Sequence, residues 1–172
     1  FAYGKPVGIQ TKKENGFRLM RTELEEHVSP KTKLLLLNYP NNPTGAALSK
    51  KDVEDIAAFA IEHDLIVLTD EIYDELTYER DHFSIISVPG MKERTIYLHG
   101  FSKAWAMTGW RMGWSIWPDA LFDSVRKLAV AAWSCVNAPS QYAGIAAIEG
   151  PQDAVAEMMN AFDRRRQLCG GV

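Results

Sequence analysis

Cysteine is scarce in this chain: Cys135 and Cys169 are the two present, with no CxxC spacing between them. That excludes a disulfide framework, suits a reducing compartment, and makes a cytoplasmic location the expectation. No run of eighteen apolar residues occurs, so no membrane-spanning helix is expected, and no basic-then-apolar leader is visible. No excess of positive charge occurs either. With 19 basic against 22 acidic side chains, the formal net charge is -3, which gives no reason to expect nucleic acid. The one basic cluster, Arg164 to Arg166, sits beside Asp163 and reads as a solvated helix face. His, Cys and Asp never fall at ligand spacing, so no metal site is expected. Repeats, low-complexity tracts and Pro/Gly/Ser linkers are missing too, which favours one domain.

What is present is an alternation of short apolar runs with longer amphipathic ones. Pro6 to Thr11 reads as a short strand, and Thr22 to Val28 as a helix with Thr22 and Glu25 as its capping box. Leu34 to Leu37 is a continuous apolar run that suits a strand buried on both faces. Ser49 looks like an N-cap with Asp52 three residues on, ahead of apolar positions Val53, Ile56, Ala57, Ala60 and Ile61 at helical spacing. Further strands are expected at Leu65 to Thr69, Thr95 to Leu98 and Met112 to Trp117. Helices are expected at Asp119 to Trp133, Ser140 to Glu149 and Gln152 to Gln167. Strands alternating with helices predict a three-layer α/β/α domain with a mostly parallel sheet. The chain starts at Phe1 on the approach to a strand and stops at Gly170-Gly171-Val172, so both ends are expected to lie inside something longer.

In open parallel sheets, ligands bind outside the carboxyl ends of the strands. Polar residues follow each apolar run here. Asn38 to Gly45 comes after the first; on its own it is a Pro/Asn/Gly turn. Asp70-Glu71-Ile72-Tyr73 comes after the second and on its own suits an acidic helix start. After the third, Lys103 stands among Ala, Trp and Met. A lysine held among apolar side chains has its free amine made available for imine chemistry.

Together, Asn-Asn-Pro-Thr-Gly at 41–45, Asp-Glu-Ile-Tyr at 70–73 and Ser-Lys-Ala-Trp-Ala-Met-Thr-Gly-Trp-Arg-Met-Gly at 102–113 resemble the aspartate aminotransferase family of fold-type I pyridoxal phosphate (PLP) enzymes. Order and spacing agree: Asp70 precedes Tyr73 by 3 residues and Lys103 by 33, and Lys103 precedes Arg111 by 8. The resemblance spans about Pro6 to the last helix but only the middle of the family's sequence. It implies that residues 1–172 are a partial large cofactor-binding domain, without its N-terminal segment and small C-terminal domain.

The resemblance further implies amino-group transfer between an amino acid and a 2-oxo acid by a ping-pong mechanism, in a homodimer. Lys103 would form the Schiff base, and Asp70 would pair with the pyridine nitrogen. Tyr73 and Asn42 would bond the phenolic oxygen, and Arg111 the phosphate. Where many relatives carry a serine phosphate ligand three residues before the lysine, this chain has Gly100, and Ser102 offers a hydroxyl instead. Tyr39 stands where small or polar residues are frequent. Rival readings are a PLP-dependent C–S lyase or related eliminase, and an aminotransferase-like sensor domain of a transcriptional regulator. His99 follows a strand, from which it can approach the site, with packing as the favoured reading. His27 and His82 fall in polar stretches, and Trp105, Trp110 and Trp114 are assigned to the core around the lysine loop.

Overall fold

The computed structural model describes residues 3–170. After a single 3-10 turn at Lys13–Asn15 comes a short α-helix, α1 (Arg21–His27), and the first strand is β1 (Leu34–Asn38). The Ser29–Thr32 turn launches β1: Thr32 N–H donates to the Ser29 carbonyl at 2.9 Å, and the Thr32 hydroxyl accepts from Ser29 N–H at 2.9 Å.

Helix α2 (Lys50–Glu62) starts where the sequence places it. Asp52 N–H donates to the Ser49 hydroxyl at 3.2 Å, and the Asp52 carboxylate accepts from Ser49 N–H at 2.8 Å. This reciprocal pair satisfies two of the donors that every helix start leaves open. From there α2 buries Val53, Ile56, Ala57, Phe59 and Ala60. They meet Leu24 of α1, Leu35 and Leu37 of β1, and Val67 of β2 (Ile66–Asp70) in one core. Truncating the fully buried Phe59 to alanine would cost about 3–5 kcal/mol.

Strand β3 (Thr95–Gly100) pairs parallel to β2, and β2 to β1, with Asn38 opposite Asp70 and Asp70 opposite Leu98. Strand β4 (Gly113–Ile116) pairs antiparallel to β3, with Gly100 opposite Gly113. The order β1-β2-β3-β4 therefore gives the mostly parallel α/β sheet that the alternation predicts. Helices α3 (Asp119–Ala132), α4 (Ala138–Glu149) and α5 (Asp153–Gly170) follow. Helix α4 places Gly144 facing Met112 and Phe101, and α5 brings Arg166 to Glu79 at 2.9 Å.

Three local expectations need correction. Pro6 to Thr11 forms no strand, because no neighbouring strand pairs with it among the described residues. The cap of α1 lies two residues earlier than Thr22: Met20 N–H donates to the Glu23 carboxylate at 3.0 Å. β1 is buried on one face only. Leu35 and Leu37 enter the core, while Leu34 and Leu36 on the opposite face are 48% and 66% exposed.

Candidate functional site

Because β1, β2 and β3 run parallel, their carboxyl ends at Asn38, Asp70 and Gly100 line up along one sheet edge. β4 runs the other way, so its first residue, Gly113, lies at that same edge. The loops carrying Asn42, Tyr73, Lys103 and Arg111 thus all spring from one rim of the sheet, where parallel folds place their ligands.

The first loop is tied by Asn41. Its side-chain amide donates to the Asn38 carbonyl and side chain, both at 3.2 Å, and its oxygen accepts the Thr44 hydroxyl at 2.7 Å. Gly45 closes the loop at φ 72°, a left-handed conformation that glycine adopts without strain, with its N–H on the Asn41 carbonyl at 2.9 Å. Held this way, Asn42 donates its amide to the Tyr73 hydroxyl at 3.2 Å. Tyr39 bonds elsewhere, its hydroxyl donating to the Phe17 carbonyl at 2.9 Å.

The second loop continues the β2–β3 ladder for one step, through Glu71 N–H to the Leu98 carbonyl at 3.1 Å. Asp70 is half-buried, and one carboxylate oxygen accepts Ile72 N–H at 3.2 Å, which fixes the head of the turn that carries Tyr73. In the third loop the Lys103 ammonium lies 5.6 Å from the centroid of the Tyr73 ring, within cation–π range. Lys103 and Ser102 are half-buried. Two residues of this loop, Ala106 and Arg111, have φ 52°, a conformation that costs a non-glycine residue about 1–2 kcal/mol. Such strain clusters at functional sites.

The geometry brings Lys103, Tyr73 and Asn42 together. Arg111 shares the rim but folds back on its own turn, donating to the Thr108 carbonyl at 2.9 Å, and its guanidinium is exposed. Ser102 has no side-chain hydrogen bond among the described residues. A cleft of about 760 Å³ opens beside Tyr73, bordered by Asn42, Tyr78, Arg80 and Arg166. Tyr73 lines it, and Lys103 and Asp70 do not.

Sequence reasoning missed two polar pairs behind this rim. Glu71, 2% exposed, accepts from the Thr69 hydroxyl at 3.0 Å and is paired with His82. Asp74 is paired with His99 at 2.6 Å and also accepts from the Tyr97 hydroxyl at 3.4 Å. Burial first, then the Asp74 charge, pushes the Tyr97 hydroxyl above its ordinary range, so it remains a donor. His99 also packs as expected, stacked on Trp114 at 4.4 Å, with Phe101 and Trp105 completing the cluster. Trp110 departs from that expectation, at 46% exposed. No signal of period or spacing marks either pair, since the partners lie 11 and 25 residues apart on different elements.

The sequence profile of the family described as aminotransferase class I and II matches residues 2–170. The chain belongs to that family. Within the class I and II aminotransferases, it is 47% identical over 170 residues to aromatic-amino-acid aminotransferase 2 of Thermococcus litoralis, covering 97% of this chain and 44% of that protein. It is also 47% identical to aspartate aminotransferase of Pyrococcus abyssi, with the same coverage. The crystal structure of an aromatic aminotransferase from Pyrococcus horikoshii superposes with a TM-score of 0.94 at 46% identity, covering 96% of this chain and 45% of that one. The chain therefore spans about 44% of the length of the curated relatives it matches. These relatives are named aminotransferases, which lends no support to the eliminase or sensor readings. No helix among the described residues is long and apolar enough to cross a membrane.

Proposed function

We propose that the protein carrying this chain is a PLP-dependent aminotransferase that moves an amino group from an amino acid to a 2-oxo acid by a ping-pong mechanism. The carrying observation is the convergence of Lys103, Tyr73 and Asn42 at the rim of the sheet, with Asp70 at the end of the central strand beside them. The donor set fits PLP. An amine is available for its aldehyde, a carboxylate for its ring nitrogen, and a phenol with an amide for its phenolic oxygen. The exposed guanidinium of Arg111 keeps N–H groups free for a phosphate, which a planar fork binds through two oxygens.

When bound, the cofactor supplies an electron sink for the pair left when the substrate's Cα–H bond breaks. In this reading Lys103 would hold the cofactor covalently, and its amine would carry the proton to and from the substrate's Cα. A tethered amine beside the reacting bond makes that transfer effectively intramolecular. Asp70 keeps the ring nitrogen protonated, and Tyr73 with Asn42 stabilises the phenolic oxygen's charge. Arg111 anchors the phosphate, and Ser102 adds a hydroxyl beside it.

Family resemblance extends the reading to a homodimer in the cytoplasm, with residues 1–172 as part of the large cofactor-binding domain. The relatives' names put aromatic amino acids and aspartate first among donors to test. Incubating the whole protein with PLP, each of these donors and 2-oxoglutarate tests the activity. Glutamate formed in step with the donor's oxo acid is the expected result. No glutamate from these donors, with ammonia, sulfide and pyruvate released from cysteine and no 2-oxoglutarate consumed, would contradict it.

A further inference from the structure

Beyond the backbone bond from Glu71 N–H to the Leu98 carbonyl, the turn that carries Tyr73 is joined to the strand leading to Lys103 through one acidic side chain. Among the described residues, Asp74 accepts both side-chain hydrogen bonds that run from β3 to the 71–76 turn, from His99 at 2.6 Å and from Tyr97 at 3.4 Å. It also accepts Glu75 N–H at 2.7 Å, and its own N–H donates to the Glu71 carbonyl at 3.0 Å. All its bonds therefore tighten the turn or tie it to β3.

The state of His99 is legible from its partners. Its Nδ1 accepts the Gly100 N–H at 2.8 Å, which requires that nitrogen to carry no proton. The ring proton is then on Nε2, donated to Asp74. The side chain is 1% exposed and clamped between β3 and Trp114, so it has no other orientation to adopt. Gly100 in turn leads directly into the lysine loop, three residues before Lys103. A part-buried, charge-assisted bond thus connects the residue after Tyr73 to the residue before Gly100, on the two segments that carry Tyr73 and Lys103.

We infer that Asp74 and His99 form a positioning pair that sets the placement of the Tyr73 hydroxyl relative to Lys103. Neither touches the site itself; each acts through the segment it holds. Loss of the pair lets the 71–76 turn move away from β3, and the Tyr73 hydroxyl moves with it. The Glu71 N–H to Leu98 carbonyl bond holds only the head of the turn, ahead of Tyr73, and the Asn42–Tyr73 bond comes from an exposed loop, so neither fixes the hydroxyl in place.

The inference rests on Tyr73 as a donor to the cofactor's phenolic oxygen, and the test separates the two. In the whole protein loaded with PLP, the pH midpoint of the cofactor's absorbance change reads how well that oxygen's charge is stabilised. Tyr73→Phe is the reference and raises the midpoint. Asp74→Ala and His99→Phe, the latter keeping a ring on Trp114, each raise it in the same direction by roughly half a unit to one unit. The double variant shifts it no further than Asp74→Ala alone, because His99 acts on the turn through its bond to Asp74. His99→Gln, which keeps an N–H donor on a side chain of similar reach, returns most of the shift and guards against a merely misfolded variant.

If Tyr73→Phe moves the midpoint and neither Asp74→Ala nor His99→Phe does, the positioning pair is overturned while the role of Tyr73 stands. The pair is likewise overturned if His99→Gln shifts the midpoint as far as His99→Phe. If Tyr73→Phe itself leaves the midpoint in place, the reading of Tyr73 fails and the pair falls with it.

Discussion

Asn42 and Tyr73, 31 residues apart in sequence, meet through a 3.2 Å bond from the asparagine amide to the phenolic oxygen. The bond makes one donor system from two separate strand-end loops. Asn42→Ala leaves the tyrosine without this partner. The pH midpoint of cofactor absorbance in the loaded whole protein is expected to rise by roughly half a unit to one unit. A spectrophotometric pH titration checks it, and an unchanged midpoint would separate Asn42 from the site.

Glu71 has lost nearly all contact with water and relies on Thr69 and His82. Removing one partner leaves a buried carboxyl oxygen without its hydrogen bond, typically worth about 1–3 kcal/mol. His82→Ala should therefore lower the melting temperature of the whole protein markedly. His82→Gln, which retains a donor, should lower it much less. Scanning calorimetry of the two variants decides.

The rim also depends on a close backbone approach. A Cβ on Gly113 would lie 2.8 Å from the His99 carbonyl oxygen, a backbone atom fixed by the β3–β4 ladder that cannot give way. Gly113→Ala is expected to cost about 1–3 kcal/mol. Gly109, four residues earlier in the same loop, has nothing within 4 Å of the equivalent position. Gly109→Ala should stay within about 0.5 kcal/mol of wild type in denaturant unfolding.

Asp52 gives the fold an acid-side weakness. Burial alone would raise its carboxyl, but the Ser49 hydroxyl and N–H, with Arg18 at 2.9 Å, outweigh burial and hold it below the ordinary value of 3.8. The folded value lies below the unfolded one, so this stabilisation is complete above the unfolded value. It is lost as pH falls through the folded one. Urea unfolding of the whole protein below about pH 4 should show a shallower loss of stability in Asp52→Asn than in wild type.

Much of this was legible in the chain because it is local. The Ser49–Asp52 cap, the apolar stripe of α2 and the three strand-end motifs each occupy a few consecutive residues. The failures have equally definite causes. Glu23 caps α1 through the Met20 backbone, a role no side chain at Met20 announces. Four leucines in a row suggest burial on both faces, yet only Leu35 and Leu37 meet α2, because a continuous apolar run carries no record of which face is covered. His99 reads as a packing residue, and it does stack on Trp114. Its bond to Asp74 crosses from β3 to a turn 25 residues earlier and exists only once the sheet has formed.

Lys103 carries the central claim, and borohydride reduction of the whole protein with bound PLP tests it most directly. Reduction followed by peptide mass spectrometry should place the cofactor on Lys103, and Lys103→Ala should retain no covalent cofactor. A reduced cofactor found on another lysine, or still attached in the Lys103→Ala variant, would contradict the account.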